Sequence, residues 1–272
     1  MRPKVGKVRY INCEPVYYGI EEGAVPATCE LVEGSPAELN RMLAEGTLDI
    51  SVISSLAYGF APERYRLLPG LAIACDGPVG SVLFLSQVPL KELTGERVRV
   101  TPESLTSVAL LRLLLEKGHG ARPVFVQAEP PEAGQRLTGE LLIGDPALKA
   151  AAEGTYPYRL DLGEGWKELT GLPFVFALWA VREPFYQSHP VETRGLHRAL
   201  RLSKAYSLAR TAEISRRVHE RVGLSRGACL TYLRRQLSFD LSPRHLDGLE
   251  TFFHMVQAEE ALPERIPWRF IE

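Results

Sequence analysis

The chain has 272 residues, enough for one large domain or two smaller ones, each burying its own core. Its 32 Lys and Arg are balanced by 33 Asp and Glu, giving a formal charge of −1, which argues against a surface built for nucleic acid or an anionic membrane. Hydrophobic residues make up 45%, yet no window approaches eighteen uninterrupted apolar residues, so no membrane span is expected.

The N-terminal run "MRPKVGKVRYINCEP" is basic but lacks the apolar segment of a secretory signal, and a cytoplasmic protein is expected. Within it, "KVRYI" reads as a first strand ending at Asn12. "SPAELNRMLAEG" carries a full helix signature: Ser35 as N-cap, Pro36 at the first position, Glu38 closing a capping box, and Gly46 as the stop. Leu39, Met42 and Leu43 form its apolar stripe. "LDISVIS" follows as a strand and hands over through Ser54 and Ser55 to a short helix, "SLAYGF".

The alternation then repeats. "SVLFLS" and "RVRVT" read as strands, and "SLTSVALLRLLLEKG" as a buried helix with Gly118 as its stop. "RPVFVQ" and "GELLIG" are strands, and "DPALKAAAEG" is a helix with Asp145 as N-cap. "PFVFALWAVR" is a long apolar strand, after which the chain turns helical to its end. Strands alternating with helices imply an α/β fold with mostly parallel, doubly wound sheets. The helical tail has no sheet of its own and must bury its apolar face on the earlier part. The arrangement expected is two lobes, one of residues 1–88 completed by 184–272 and the other of residues 89–183, joined by a two-crossover hinge with a cleft between them.

Open α/β sheets bind ligands at the carboxyl ends of their strands. Asn12, Ser54, Ser55, Thr106, Ser107 and Asp145 stand at or just beyond such ends, and Ser81 in "GPVGSVLFLS" stands at a strand start. Most of these positions also open a helix, where free N–H groups and the helix dipole favour a carboxylate or phosphate. None of "YINCEP", "VISSLAY", "GPVGSV", "LTSVAL" and "LIGDPAL" contains Lys or Arg, so an anion would be held mainly by amides and hydroxyls. As plain structure, the same residues are caps and turns, and Asp145 is fully accounted for as a cap.

Other chemistries lack their residues. There is no phosphate loop, no GxSxG elbow and no HExxH pair. The cysteines Cys13, Cys29, Cys75 and Cys229 form no CxxC pair, so no metal site is expected. The six histidines avoid the strand ends, Glu14 has no obvious partner, and "RRVHERVGLSRG" reads as a solvated charged face.

The ordered set "VRYINCEP", "GTLDISVISSLAY", "GPVGSVLFLS", "SLTSVALLRLLL", "LLIGDPAL" and "WKELTGLPFVFALWAVR" resembles the chorismate dehydratase family of the futalosine route to menaquinone. That resemblance implies a type II periplasmic-binding-protein-like fold and a hydro-lyase reaction, chorismate to 3-[(1-carboxyvinyl)oxy]benzoate and water, with no cofactor. It further implies Ser81 and Asn12 as the catalytic pair, acting from one lobe; Ser54, Ser55, Thr106, Ser107 and Asp145, from their strand-end placement, are expected around the substrate. Two alternatives stay open: the 1,4-dihydroxy-6-naphthoate synthase of the same pathway, and a non-catalytic two-lobed binding protein for a small anion. The former family opens on a Ser-Pro-Cys-Pro-Asn-Asp type run and is expected to use a histidine; here "YINCEP" replaces the run.

Overall fold

A computed structural model describes residues 2–127 and 137–272. The first half of the chain gives β1 (Lys4–Val8), α1 (Glu14–Glu21), β2 (Glu30–Gly34), α2 (Pro36–Glu45), β3 (Ile50–Ser54), α3 (Ser55–Phe60) and β4 (Tyr65–Cys75). Next come β5 (Val82–Ser86), β6 (Arg97–Arg99), α4 (Leu105–His119), β7 (Val124–Val126), β8 (Gly139–Ile143), α5 (Asp145–Glu153), β9 (Tyr158–Asp161) and α6 (Leu162–Thr170). β10 (Phe174–Arg182) leads into the tail: α7 (Glu183–Ser188), α8 (Pro190–Leu208), α9 (Thr211–Val218), α10 (Arg226–Thr231), a π-helical turn at Tyr232–Gln236, and α11 (Pro243–Val256).

Two five-stranded sheets form, in the orders β2-β1-β3-β10-β4 and β7-β6-β8-β5-β9. The protein is therefore a two-lobed α/β molecule crossed twice by its backbone. The crossings lie between Cys75 and Val82 and between Asp161 and Phe174, earlier than the 88 and 183 read from the sequence. β5 and β10 are both apolar central strands, and hydrophobic pattern cannot tell which of two sheets such a strand joins. The sheets are also mixed rather than mostly parallel. β10 runs antiparallel to β3 and β4, and β5 antiparallel to β8 and β9. Both follow a crossing, so each enters its sheet from the opposite lobe.

Local signals explain most element ends. In α2 the Ser35 Oγ accepts from the Glu38 N–H at 3.3 Å, the Glu38 carboxylate accepts from the Ser35 N–H at 2.8 Å, and Gly46 closes the helix at φ 86°. α4 starts at the Ser104 cap and runs through Gly118 to stop at Gly120, φ 64°. Gly118 is a helical residue because the left-handed stop needs the next glycine. The first strand is Lys4–Val8, and "YIN" instead forms a bend and a single 3-10 turn, Ile11–Cys13. β2, β4 and β9 have no counterpart in the sequence reading. β4 contains Pro69-Gly70, which reads as a turn, but an edge strand tolerates a missing N–H.

The tail closes the molecule. α8 packs along α1, and α11 brings Phe252 against Trp166 and Phe174, with ring centroids 6.0 and 5.0 Å apart. Trp166 and Phe174 flank the second crossing, so the tail covers the place where the chain returns to the first sheet. No helix among the described residues is long and apolar enough to cross a membrane.

Candidate active site

A cleft of about 550 Å³, part of it open to solvent, lies between the sheets. The first lobe contributes Val8, Tyr10, Asn12, Cys13, Val52, Ser54, Ile73 and Phe176; the second contributes Val82, Glu103, Ser104, Ser107, Ile143 and Gly144. Among the described residues its wall is thus apolar with a few hydroxyls, one amide and one carboxylate. No Lys, Arg or His lines it among the described residues.

Asn12 sits in the 3-10 turn after β1, and its Oδ1 is buried without a hydrogen-bond partner among the described residues. A buried carbonyl oxygen left unpaired costs about 1–3 kcal/mol, so the position favours a ligand that brings a donor. Tyr10, two residues earlier, has its phenol pushed up to about 12, by burial first and then by the Glu103 and Asp145 carboxylates. It is a neutral O–H at physiological pH. Burial likewise pushes the Cys13 thiol up to about 12, which removes it as a nucleophile.

The strand-end hydroxyls divide into three groups. Ser54 Oγ and Thr106 Oγ1 are 2.6 Å apart and join the end of β3 to the start of α4 across the cleft; Leu56 N–H also donates to Thr106 Oγ1 at 2.9 Å. Ser107 lines the cleft and accepts from Ser104 Oγ at 2.9 Å. Ser55 turns away, donating to the Val175 carbonyl at 2.8 Å, and does not line the cleft. Glu103 and Ser104 were absent from the sequence reading. Glu103 accepts from Ala37 N–H at 3.3 Å, placing a second-lobe carboxylate on the N-terminus of α2.

Asp145 is not the N-cap of α5. The cap is Gly144, at φ 62° and ψ −138°, and Asp145 is the first helical residue. Its Oδ1 accepts from Ile11 N–H at 2.9 Å, and its Oδ2 lies 3.4 Å from Arg221 Nε. Arg221 also donates to the Arg9 carbonyl at 3.1 Å and to Glu14 at 3.2 Å, so part of the charged stretch read as a solvated face fastens the lobes together. Glu14 has a further partner in buried Lys7, 3.4 Å away. Asp145 is therefore a clasp on the turn that carries Asn12, outside the cleft wall. Asp145→Ala is expected to cost about 1–2 kcal/mol and to lower kcat/KM several-fold, whereas Asp145→Asn, whose amide oxygen can still accept from Ile11, should lose less. Denaturant unfolding and steady-state rates check both. Equal behaviour of the Ala and Asn variants would remove the carboxylate from the clasp.

Ser81 immediately precedes β5 in the second lobe, 1% exposed, next in sequence to the cleft residue Val82 and not itself on the wall. Its carbonyl accepts from Gly144 N–H at 2.7 Å, and its Oγ accepts from Tyr232 O–H at 2.8 Å. The turn before it is held by Asp161, whose carboxylate accepts from the N–H groups of Val79 (3.0 Å), Gly80 (2.7 Å), Gly163 (3.0 Å) and Glu164 (3.1 Å). Ser81 and Asn12 therefore belong to different lobes, a correction to the one-lobe expectation that follows from the earlier first crossing.

The bonds Ile11–Asp145, Ala37–Glu103 and Ser54–Thr106 all bridge the lobes, so this is a closed arrangement. Small-angle scattering is expected to show a smaller radius of gyration once a substrate analogue saturates the site, since the two crossings are the compliant part. An unchanged radius at saturation would mean that the lobes are closed without ligand.

A two-lobed α/β molecule with a cleft between its lobes is the architecture of periplasmic binding proteins, and solved structures agree. An Archaeoglobus fulgidus protein superposes with a TM-score of 0.76 at 23% identity, covering 96% of this chain and 98% of that one. The aliphatic sulphonate binding protein of Escherichia coli superposes at 0.68 and 15% identity, covering 99% and 97%. The family described as menaquinone biosynthesis matches residues 3–258. Chorismate dehydratase of Thermus thermophilus is 36% identical over 245 residues, 82% of this chain and 84% of the relative, and that of Campylobacter jejuni is 31% identical over 63% and 64%. The 1,4-dihydroxy-6-naphthoate synthase of Thermus thermophilus is 31% identical over 73% and 71%. The chain belongs to the chorismate dehydratase family of menaquinone biosynthesis.

Proposed function

We propose that this protein removes water from chorismate to give 3-[(1-carboxyvinyl)oxy]benzoate, as a cytoplasmic hydro-lyase. The observation that carries this reading is the unpartnered Asn12 Oδ1 on the cleft wall. Chorismate brings a ring hydroxyl, the group that departs, and that O–H suits a buried acceptor. The ring C–H at the carbon bearing the enol ether is conjugated through a double bond to the ring carboxylate, so its loss gives a delocalised carbanion. Breaking the neighbouring C–O bond then makes the ring aromatic, and hydroxide leaves as water on taking up the proton. The net reaction is redox-neutral. With aromatisation as driving force, the protein has mainly to orient the substrate and steady developing charge.

Glu103, the one carboxylate on the wall among the described residues, already accepts from Ala37. The base in this reading is the enolpyruvyl carboxylate of chorismate itself, which takes the ring proton. Asn12 accepts from the ring hydroxyl before it leaves, and Ser81 donates toward the departing oxygen. Ser54 and Ser107 act as neutral donors to the substrate carboxylates, Thr106 holds the Ser54 hydroxyl from behind the wall, and Asp145 acts through the turn it holds. The lack of a histidine on the wall among the described residues favours this over the naphthoate synthase reading, for which a histidine is expected. Purified protein incubated with chorismate should give the aromatic product, visible by absorbance and mass. Chorismate bound but recovered unchanged would point to the binding-protein alternative.

A further inference from the structure

We infer that Tyr232, a tail residue 151 positions from Ser81, is a positioning residue for the reaction, fixing the Ser81 hydroxyl so that its proton faces the substrate. This rests on the role proposed for Ser81. A serine hydroxyl has one proton and two lone pairs. Tyr232 donates to Ser81 Oγ at 2.8 Å, which leaves the Ser81 proton as the group still to be directed. Tyr232 is 2% exposed and ring-packed in the protein interior, and burial, the largest influence on it, holds its phenol well above its ordinary value, so it stays a donor.

The contact has a second point. Tyr232 opens the π-helical turn Tyr232–Gln236, and the far end of that turn lies over Gly80, where an added Cβ would come within 2.6 Å of the Gln236 side chain. Gly80, at φ 71°, is also the residue whose N–H is held by Asp161. The backbone before Ser81 is thus fixed from one side by Asp161 and from the other by the tail, and its hydroxyl rotor is fixed by Tyr232. Accepting a hydrogen bond also makes a hydroxyl a stronger donor, because linked hydrogen bonds polarise each other. A departing hydroxide needs such a donor.

Tyr232→Phe keeps the ring and removes the O–H. It is expected to lower kcat about 3- to 10-fold with KM changed less than about 2-fold, the effect of one lost hydrogen bond. In a Ser81→Ala background the same change should cost nothing further, because the group it positions is gone. A tyrosine that only fastens the tail would not show this dependence. Wild-type kcat in Tyr232→Phe, or the same fractional loss in both backgrounds, overturns the inference while leaving Ser81 in place. Full activity in Ser81→Ala removes the role of Ser81 first, and this inference with it. If Tyr232→Phe unfolds more readily, site-specific 3-fluorotyrosine at 232 keeps the shape and strengthens the donor; an increased kcat supports the inference, and no change overturns it.

Discussion

Asn12→Ala and Ser81→Ala are each expected to cut kcat by about 10-fold or more, the loss typical of one positioned group acting on the transition state. Their effects on stability should differ. The Asn12 Oδ1 is buried without a partner, so its removal should leave the denaturation midpoint unchanged or raise it. Ser81 accepts from Tyr232, so Ser81→Ala leaves a buried phenol O–H unpaired and should cost about 1–3 kcal/mol. Opposite signs in stability combined with similar losses in turnover separate a catalytic pair from a pair of structural residues. Wild-type turnover in a folded Ser81→Ala protein would return the serine to a strut between β5 and the tail.

Gly144→Ala should act on closure. At φ 62° and ψ −138° the residue occupies backbone space open in practice to glycine alone, and an added Cβ would overlap the Tyr10 ring of the opposite lobe. The strain is of order 1–3 kcal/mol, and the part carried by the Tyr10 overlap exists only while the lobes are together. A share of about 1 kcal/mol relieved by opening corresponds to a closed state disfavoured about 5-fold. The expected result is a raised KM, with scattering of the unliganded protein shifted toward a larger radius. Tyr10→Ala in the same chain should recover part of the KM, because it removes the other half of the overlap. No recovery would locate the whole effect in the Gly144 backbone and separate it from closure.

The alternation of strands and helices was legible where an element carries its own signal, as the capping box and Gly46 of α2 show. Sheet membership was not, since β5 and β10 look alike to any pattern of burial. The strand-end rule brought Asn12, Ser54 and Ser107 to the interlobe cleft but could not orient side chains. Ser54 and Ser55 are neighbours, yet one bonds across the cleft to Thr106 and the other bonds to β10. Long-range partners left no trace in local sequence. Arg221 and Asp145 lie 76 positions apart, and nothing near either announces the other. Asp145 reads as a cap from its neighbours alone, and only the lobe opposite reveals its partner, Ile11.

The four N–H groups gathered on Asp161 also decide what travels with what. They weld residues 79–81 to the start of α6, so Ser81 rides with the second sheet, while Asn12 rides with the first. A chorismate molecule resting on either half of an open protein therefore meets one of the two proposed groups and never both. Catalytic competence becomes a property of the closed molecule alone. Reaction and enclosure are then a single event, and a reactive ring half-way to aromaticity is never presented to bulk water.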